Sequence, residues 1–466
     1  MYISKIKLHN FKGFTGDHEI SFDKGINFFV GDNNCGKSSV FEAIEFIRTK
    51  KNRDEVITKT ADTGDYVSVE IELKGDDLEE LLEADELKKY RSALIEKDGE
   101  KILQIKRSSE IDIGKVYFFT DKGYTNLTGA DKTIGALFDA QFIWADTDSG
   151  EITDFSKTKI CGKIINTIIG KTVAESWQRF EESHKQTFEE IANNLKPIED
   201  QIQNKLSDQY GETQVEFNFT LPEITDFLKS GNIVLSDSGI PTTSAEKGTG
   251  MQRALALAII QIYADISSQN EEGISKPIIF FIDEPETFLH PRAQNKLLDA
   301  LEKIAENSQI FVITHSPYLL KKYKKATHSM NVFAKEKGFN KTSSSIEFDL
   351  FGVSSPTWGE INYYAFGVLS VEFHNELYGF IQARAILQDE KYYQPKDFDD
   401  YLVSENDQIL KNRRYKHLRA DNSIMEYDTT LPTKIRNIIH HPENTNNSFS
   451  ETDLKDSIEL LIPLLR

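Results

Sequence analysis

The stretch Ile26-Asn27-Phe28-Phe29-Val30-Gly31-Asp32-Asn33-Asn34-Cys35-Gly36-Lys37-Ser38-Ser39 decides how the rest of the chain is read. It opens on a short apolar run of the kind that forms a buried strand. From Ser38 onward, Val40, Phe41, Ile44 and Ile47 recur at helical spacing. Between strand and helix, Gly31 to Ser38 fits G-x-x-x-x-G-K-[ST], and that context is the one the motif requires. Backbone N–H groups of such a loop can surround phosphates, and the helix N-terminus behind them favours negative charge. Lys37 can reach the β- and γ-phosphates and Ser38 can ligate Mg²⁺, with Gly31, Asn33, Asn34, Gly36 and Ser39 as the remaining cofactor-binding positions of the loop. ATP and Mg²⁺ are the expected cofactors.

Outward from the loop, Ile3, Ile6, Leu8 and Phe11, then Ile20 and Phe22, alternate as half-buried strands do. Residues 67–73 and 102–106 read as strands around an acidic helical stretch, Asp76 to Lys89, which reads as a solvated face. Trp177, Phe180, Phe188, Ile191, Leu195, Ile198, Ile202 and Leu206 mark an amphipathic helix in which Pro197 is a point where a kink can form, an arm inserted at about 172–208. Such an arm is either an ordinary packed helix or a short coiled-coil or dimer contact. Ile278–Ile282 and Ile310–Ile313 have the length and composition of buried parallel strands, separated by a helix carrying Leu297, Leu298, Leu301 and Ile304. Past Tyr323 the chain becomes richer in aromatics and turns. This predicts a head over 1–325 and a mainly helical C-terminal region over 326–466 for partner binding or assembly.

Three further segments carry chemistry. The strand Ile278–Ile282 ends in Asp283-Glu284-Pro285-Glu286; beside a phosphate loop, the first carboxylate suits the metal and the second suits a base for the attacking water. Ile313-Thr314-His315-Ser316-Pro317 also follows an apolar strand, where the His315 imidazole could contact the γ-phosphate, beside the simpler reading of a structural histidine. Ser244 to Arg253 includes Gly248, Gly250 and Gln252 and precedes the helical run Ala254 to Tyr263, so its glycines can bring backbone donors to an anion.

The order of these four motifs resembles the ABC-type ATPase head of the RecF, SMC and OLD families over roughly residues 1–325, and Ile6 to Phe14 looks like the opening strands of OLD-type and RecF-type heads. The resemblance implies an α/β P-loop head in which Lys37, Ser38, Asp283, Glu284 and His315 of one copy face Gly248–Gln252 of another across ATP. It also implies a magnesium-sensing glutamine, for which Gln141 is the match, beside the alternative of an ordinary surface glutamine. Gly248-Thr249-Gly250-Met251-Gln252 departs from the Ser-Gly-Gly-type sequence of transporters.

OLD nucleases carry a Toprim domain with an Asp-x-Asp metal pair. Here Asp397-Phe398-Asp399 has that spelling but follows no apolar strand and reads as a surface loop. Arg436 and His441 have the Arg-four residues-His spacing that resembles the HEPN ribonuclease motif, beside the simpler reading of a helix end before Pro442. A compact head of this kind resembles the ATPase subunits of two-gene bacterial anti-phage systems, such as AriA of PARIS with its Toprim nuclease and PtuA of Septu with its HNH nuclease. That implies a homo-oligomer of head dimers, an effector nuclease of Toprim or HNH type in trans, and a nucleic acid or phage protein as trigger. The alternatives are a DNA-repair ATPase of RecF or SMC kind and an ATPase fused to a HEPN-like RNase.

Composition fits these expectations. The 466 residues carry 55 basic and 75 acidic side chains, a net charge of −20, which argues against an open surface gripping nucleic acid by its phosphates alone. The basic clusters 321–325 and 411–417 read as solvated turns or as lining for a local DNA or partner channel. Cys35 and Cys161 are the only cysteines, and a reducing, cytoplasmic setting suits a thiol inside a glycine loop. No run of apolar residues reaches the ~18 needed for a membrane span, and no secretory leader is expected.

Overall fold

A computed structural model describes residues 1–145, 153–154, 156, 159–164, 174–211, 214–217, 231–237, 239–268, 276–287, 289–321, 323–336, 339–344, 348–419, 421 and 423–465. The alternating N-terminal pattern builds one layer. Strands β1 (Tyr2–His9), β2 (Asp17–Ser21), β4 (Ser68–Lys74), β5 (Leu94–Lys97), β6 (Glu100–Ser108), β7 (Tyr117–Thr120) and β8 (Gly123–Thr125) form an antiparallel sheet ordered β2-β1-β4-β6-β7-β8, with β5 on β6. A register shift between Ile3 and Lys5 lets Ile3 and Ile6, three residues apart, both point into the core.

The second layer holds the phosphate loop. It comprises β3 (Ile26–Gly31), β9 (Asp139–Ile143), β12 (Ile278–Asp283), β13 (Gln309–Ile313), β14 (His328–Glu336) and β15 (Phe339–Ser344), ordered β15-β14-β3-β13-β12-β9. All pairs are parallel except β14–β15; β10 (Val234–Asp237) and β11 (Ile240–Thr243) pair as a separate antiparallel hairpin. Helices α1 (Lys37–Arg48), α2 (Ala130–Leu137), α3 (Ala174–Tyr210), α4 (Thr249–Ser268) and α5 (Pro291–Ala305) accompany it. Continuous apolar strands are explained by burial on both sides: Phe29, Phe281, Phe311 and Phe333 face α1 and the first sheet, whereas Phe28, Val30, Phe280, Ile282 and Val312 face α4 and α5. On the first of these faces Phe142, Phe281 and Phe311 stack across three strands, with centroids 4.6 and 5.0 Å apart.

Two expectations change. The head's sheet runs past residue 325, because β14 pairs with β3, Phe333 opposite Gly31, and Met330, Val332 and Phe333 fill its two cores. The acidic stretch 76–89 is not a purely solvated face: it breaks into short turns at Leu78–Leu81 and Lys88–Ala93, and Leu78, Leu81, Leu82 and Leu87 are buried beneath the first sheet. The arm is a single helix, α3, that runs through Pro197 and leaves Ile191, Ile198 and Ile202 exposed; the side chains of Trp177, Phe180 and Phe188 lie outside the described residues.

The C-terminal region is mainly helical, with α6 (Val371–Gln388), α7 (Pro395–Glu405), α8 (Leu431–His440) and α9 (Glu451–Leu461) around a core of Phe373, Leu377, Phe398, Leu402, Ile435 and Ile458, joined by a hairpin of β16 (Arg413–Leu418) and β17 (Ile424–Thr429). Asp397-Phe398-Asp399 is no surface loop but part of α7. Asp399 is buried and accepts from Thr429 Oγ1 at 2.5 Å, Thr430 Oγ1 at 2.6 Å and Thr430 N–H at 3.3 Å. Its oxygens tie α7 to the start of α8, a structural use that takes them from any metal.

Candidate functional site

Register brings the motifs together. Asp283 lies opposite Ile313 and Ile313 opposite Phe29, so the phosphate loop, the acids and the His315 segment all leave the sheet at the carboxyl ends of adjacent parallel strands, the edge where α/β sheets hold ligands. Together they line a cleft of 680 Å³ with Lys12, Gly13, Asn33, Asn34, Gly36, Lys37, Ser38, Ser39, Asp283, Glu284, His315, Lys335 and Asn340 among its walls.

The loop needs its glycines. Gly31 has φ 127° and its hydrogen faces the Phe333 carbonyl, which a Cβ would overlap. Asn34 and Gly36, at φ 60° and 94°, are also left-handed, the kind of alternation that turns successive N–H groups into a concave anion nest. The Lys37 ammonium is buried and donates to the carbonyls of Gly31 at 2.9 Å and Asp32 at 2.7 Å. Burial lowers its pKa.

Opposite, Ser38 Oγ donates to Asp283 Oδ2 at 3.3 Å. Burial, and after it the charge of Glu284, pushes the Asp283 carboxyl up to about 6. This pair of hard oxygen donors beside an under-compensated carboxylate fits Mg²⁺. Among the described residues no group of three or more His, Cys, Asp or Glu is placed to hold a metal alone.

Glu284 is left-handed at φ 46°, a strained conformation for a residue with a Cβ. Its N–H donates to the Ile313 carbonyl at 2.9 Å, its Oε2 accepts from Thr287 Oγ1 at 3.2 Å, and its Oε1 stands 3.6 Å from His315 Nε2. Burial, then the charge of Lys37, lowers the His315 pKa, which favours the neutral ring.

Sequence reasoning missed Glu286. This carboxyl is 7% exposed, and its Oε1 accepts from Thr314 Oγ1 at 2.7 Å and from the His315 N–H at 2.9 Å, while Oε2 has no partner. Burial raises its pKa. One link further, Ser316 Oγ donates to Gln294 Oε1 of α5 at 2.5 Å. The His315 segment is thereby held from beneath by two buried side chains. Lys12, Lys335 and Asn340 were missed too, since no motif spans the distances that bring them to the loop.

Gln141 is not brought to the site. It sits inside β9 opposite Phe280, three residues short of the level of Asp283, and does not line the cleft. Strand β9 runs on to Ile143, so a glutamine at 141 is held within the ladder rather than at its end. Gly248, Gly250 and Gln252 are also away from the cleft of their own chain. Helix α4 starts at Thr249 rather than at Ala254, with Gly248 exposed just before it. Gln252 Nε2 donates to the carbonyls of Lys247 at 2.8 Å and Ala245 at 3.2 Å, so its amide braces the turn that leads into the helix.

Of the other candidates, Arg436 lies in α8 and donates to Asn437 Oδ1 at 3.2 Å, whereas His441 lies past the helix end with Nδ1 3.2 Å from Glu443 Oε1. In the basic clusters, Lys324 pairs with Glu302, Lys325 with Asp349, Lys411 with Asp400, and Arg414 with Glu426 and Asp428. Lys322 lies outside the described residues. No helix among the described residues is long and apolar enough to cross a membrane.

The chain is similar to known proteins in the following ways. The family described as AAA ATPase domain matches residues 1–161 and 136–320. The chain is 27% identical over 381 residues to the Old nuclease of Escherichia phage P2, covering 76% of this chain and 63% of that protein. It is 35% identical over 89 residues to the DNA double-strand break repair Rad50 ATPase of Methanocaldococcus jannaschii, 18% of this chain and 9% of that one. The crystal structure of the SmcHead bound to the C-winged helix domain of ScpA aligns with a TM-score of 0.46 and 17% identity, over 74% of this chain and 98% of that chain.

Proposed function

The chain belongs to the AAA ATPase domain family and is an ATPase; on that premise we propose that it is a switch whose heads dimerise around ATP and thereby control a separate effector nuclease in anti-phage defence. The observation that carries the reading is the convergence of Lys37, Ser38, Asp283, Glu284 and His315 on one cleft. In it, Lys37 and the loop N–H groups hold the β- and γ-phosphates. Glu284 orients a water toward the γ-phosphorus and takes its proton as the bond to ADP breaks, and neutral His315 donates to a γ-phosphate oxygen. Ser38 and Asp283 would hold Mg²⁺, which would supply neutralisation of the phosphate charge when bound. The exposed start of α4, with Gly248 and Gly250 remote from their own cleft, supplies backbone donors to the nucleotide of a second copy. ATP then makes contacts that neither copy completes alone, and closure follows from that difference in affinity.

Similarity to the Old nuclease supports placing this ATPase beside nuclease chemistry. Asp399 is engaged structurally, and in this reading a Toprim or HNH nuclease acts in trans, with a nucleic acid or phage protein as the trigger. Two variants test it. Lys37→Ala should lose ATP binding, and Glu284→Gln should bind ATP and accumulate as a closed dimer with turnover reduced ~10²-fold or more. Near-normal turnover in Glu284→Gln would remove the base assignment. Direct action on DNA is the second reading, favoured by the local similarity to Rad50; ATPase stimulated by DNA ends, with binding that weakens steeply with salt, would select it.

A further inference from the structure

The β14–β15 hairpin carries two cleft residues that the reading above leaves unused. Lys335 and Asn340 are directly opposed across this antiparallel pair and both line the cleft. They arrive there because β14 pairs with β3, the strand that ends in the phosphate loop. Asn340 is 5% exposed, and what it exposes opens on the cleft. Its amide nitrogen is lodged against the backbones of Gly13 and Gly36, and a Cβ on either glycine would collide with it. Gly36 caps the N-terminus of α1, where the loop's N–H groups converge.

Charge points the same way. The cleft has three lysines. Lys12 is paired with Glu42 at 2.5 Å and Lys37 is engaged by loop carbonyls. Lys335 is exposed and has no ion pair among the described residues. An amide that lines the cleft beside the loop can donate to a ligand oxygen there, and a hydrogen bond to a charged oxygen is among the stronger ones. A triphosphate brings more negative charge than Lys37 alone offsets.

Resting on the reading that this cleft binds ATP, we propose that Lys335 and Asn340 form a second nucleotide-holding element, contributed by the hairpin. Asn340 Nδ2 donates to a phosphate oxygen seated at Gly36, and the Lys335 ammonium neutralises phosphate charge at the same edge. Glycine at positions 13 and 36 is what allows the amide so close to the loop.

Calorimetric titration of the full chain with Mg·ATP at two salt concentrations tests this, using Lys335→Gln, Asn340→Ala and Asn340→Asp. Hydrogen bonds to charged groups imply ~10-fold weaker ATP binding for Lys335→Gln and Asn340→Ala, and Asn340→Asp should weaken it further by placing a carboxylate beside phosphate. Lys335→Gln should also flatten the salt dependence, which a purely structural role would not do. Lys335 is solvent-facing, so its variant keeps the fold even if the Asn340 variants unfold. Wild-type affinity and salt dependence in Lys335→Gln, with ATP binding lost in Lys37→Ala, would overturn the proposal and leave the ATPase reading standing. Failure of the unmodified chain to bind ATP would instead overturn the reading beneath it.

Discussion

Asp283 is buried beside the Glu284 carboxylate, and its carboxyl stands at about 6 instead of an ordinary 3.8, through burial first and the neighbouring charge second. A native state that holds this proton more tightly than the unfolded chain is favoured at low pH. It loses that advantage as pH rises through the interval from 3.8 to about 6, and above it the penalty is constant. The interval corresponds to ~3 kcal/mol, but the cleft is open to water, and screening leaves ~1–2 kcal/mol. An asparagine has the same shape, still accepts from Ser38 Oγ, and carries no charge to desolvate. Asp283→Asn should therefore stabilise the nucleotide-free protein by ~1–2 kcal/mol at pH 8 and by roughly half as much at pH 5. Urea unfolding of both proteins at the two pH values measures this, and Mg²⁺-dependent ATP hydrolysis, assayed in parallel, should be lost. A gain of stability at the cost of activity is the usual signature of a strained site. If the variant is no more stable at pH 8, or is stabilised equally at both pH values, the uncompensated charge is not what the folded site holds.

Two other carboxyls should behave in contrasting ways. Glu286→Gln keeps an oxygen to accept from Thr314 and the His315 N–H, so stability and turnover should stay near wild type; Glu286→Ala strands both donors and should cost ~1–3 kcal/mol, with turnover falling as His315 loses its support. Paired urea titrations and steady-state ATPase assays distinguish the two. Asp399→Ala removes the acceptor for two hydroxyls and one N–H between α7 and α8, and should lower the unfolding free energy by a similar ~1–3 kcal/mol in urea titration while the ATPase rate of the folded protein is unchanged.

The parallel half of the head was legible because its signals are local. Ile278–Ile282 and Ile310–Ile313 are apolar without interruption since each strand is covered on both faces, and the glycine loop lies within a single turn of chain. What escaped depends on pairing between distant segments. Strand β14 reads as mixed aromatics and polar residues, and only its ladder with β3 makes it part of the sheet and brings Lys335 to the loop. Gln141 escaped for a related reason. Alternation marks a strand but not its end, and without a glycine or proline after it, a glutamine two residues inside β9 reads like one just beyond it.

The acids after β12 show where pattern stops carrying chemistry. Asp283, Glu284 and Glu286 stand almost side by side in sequence, yet one faces a hydroxyl across the cleft, one faces His315 and one is sealed beneath the His315 backbone. Their side chains are nearly alike, so composition cannot separate them. Backbone direction does. A strand would send alternate residues to opposite faces, but the left-handed turn at Glu284 breaks that alternation, and the N–H of the same residue is fixed to Ile313 of the neighbouring strand. Glu286 then enters the space under β13 only because Thr314 and His315 present two donors there. Its role is set by a partner strand that the sequence places elsewhere, which is why the motif containing Glu286 could be quoted in full and its function still missed.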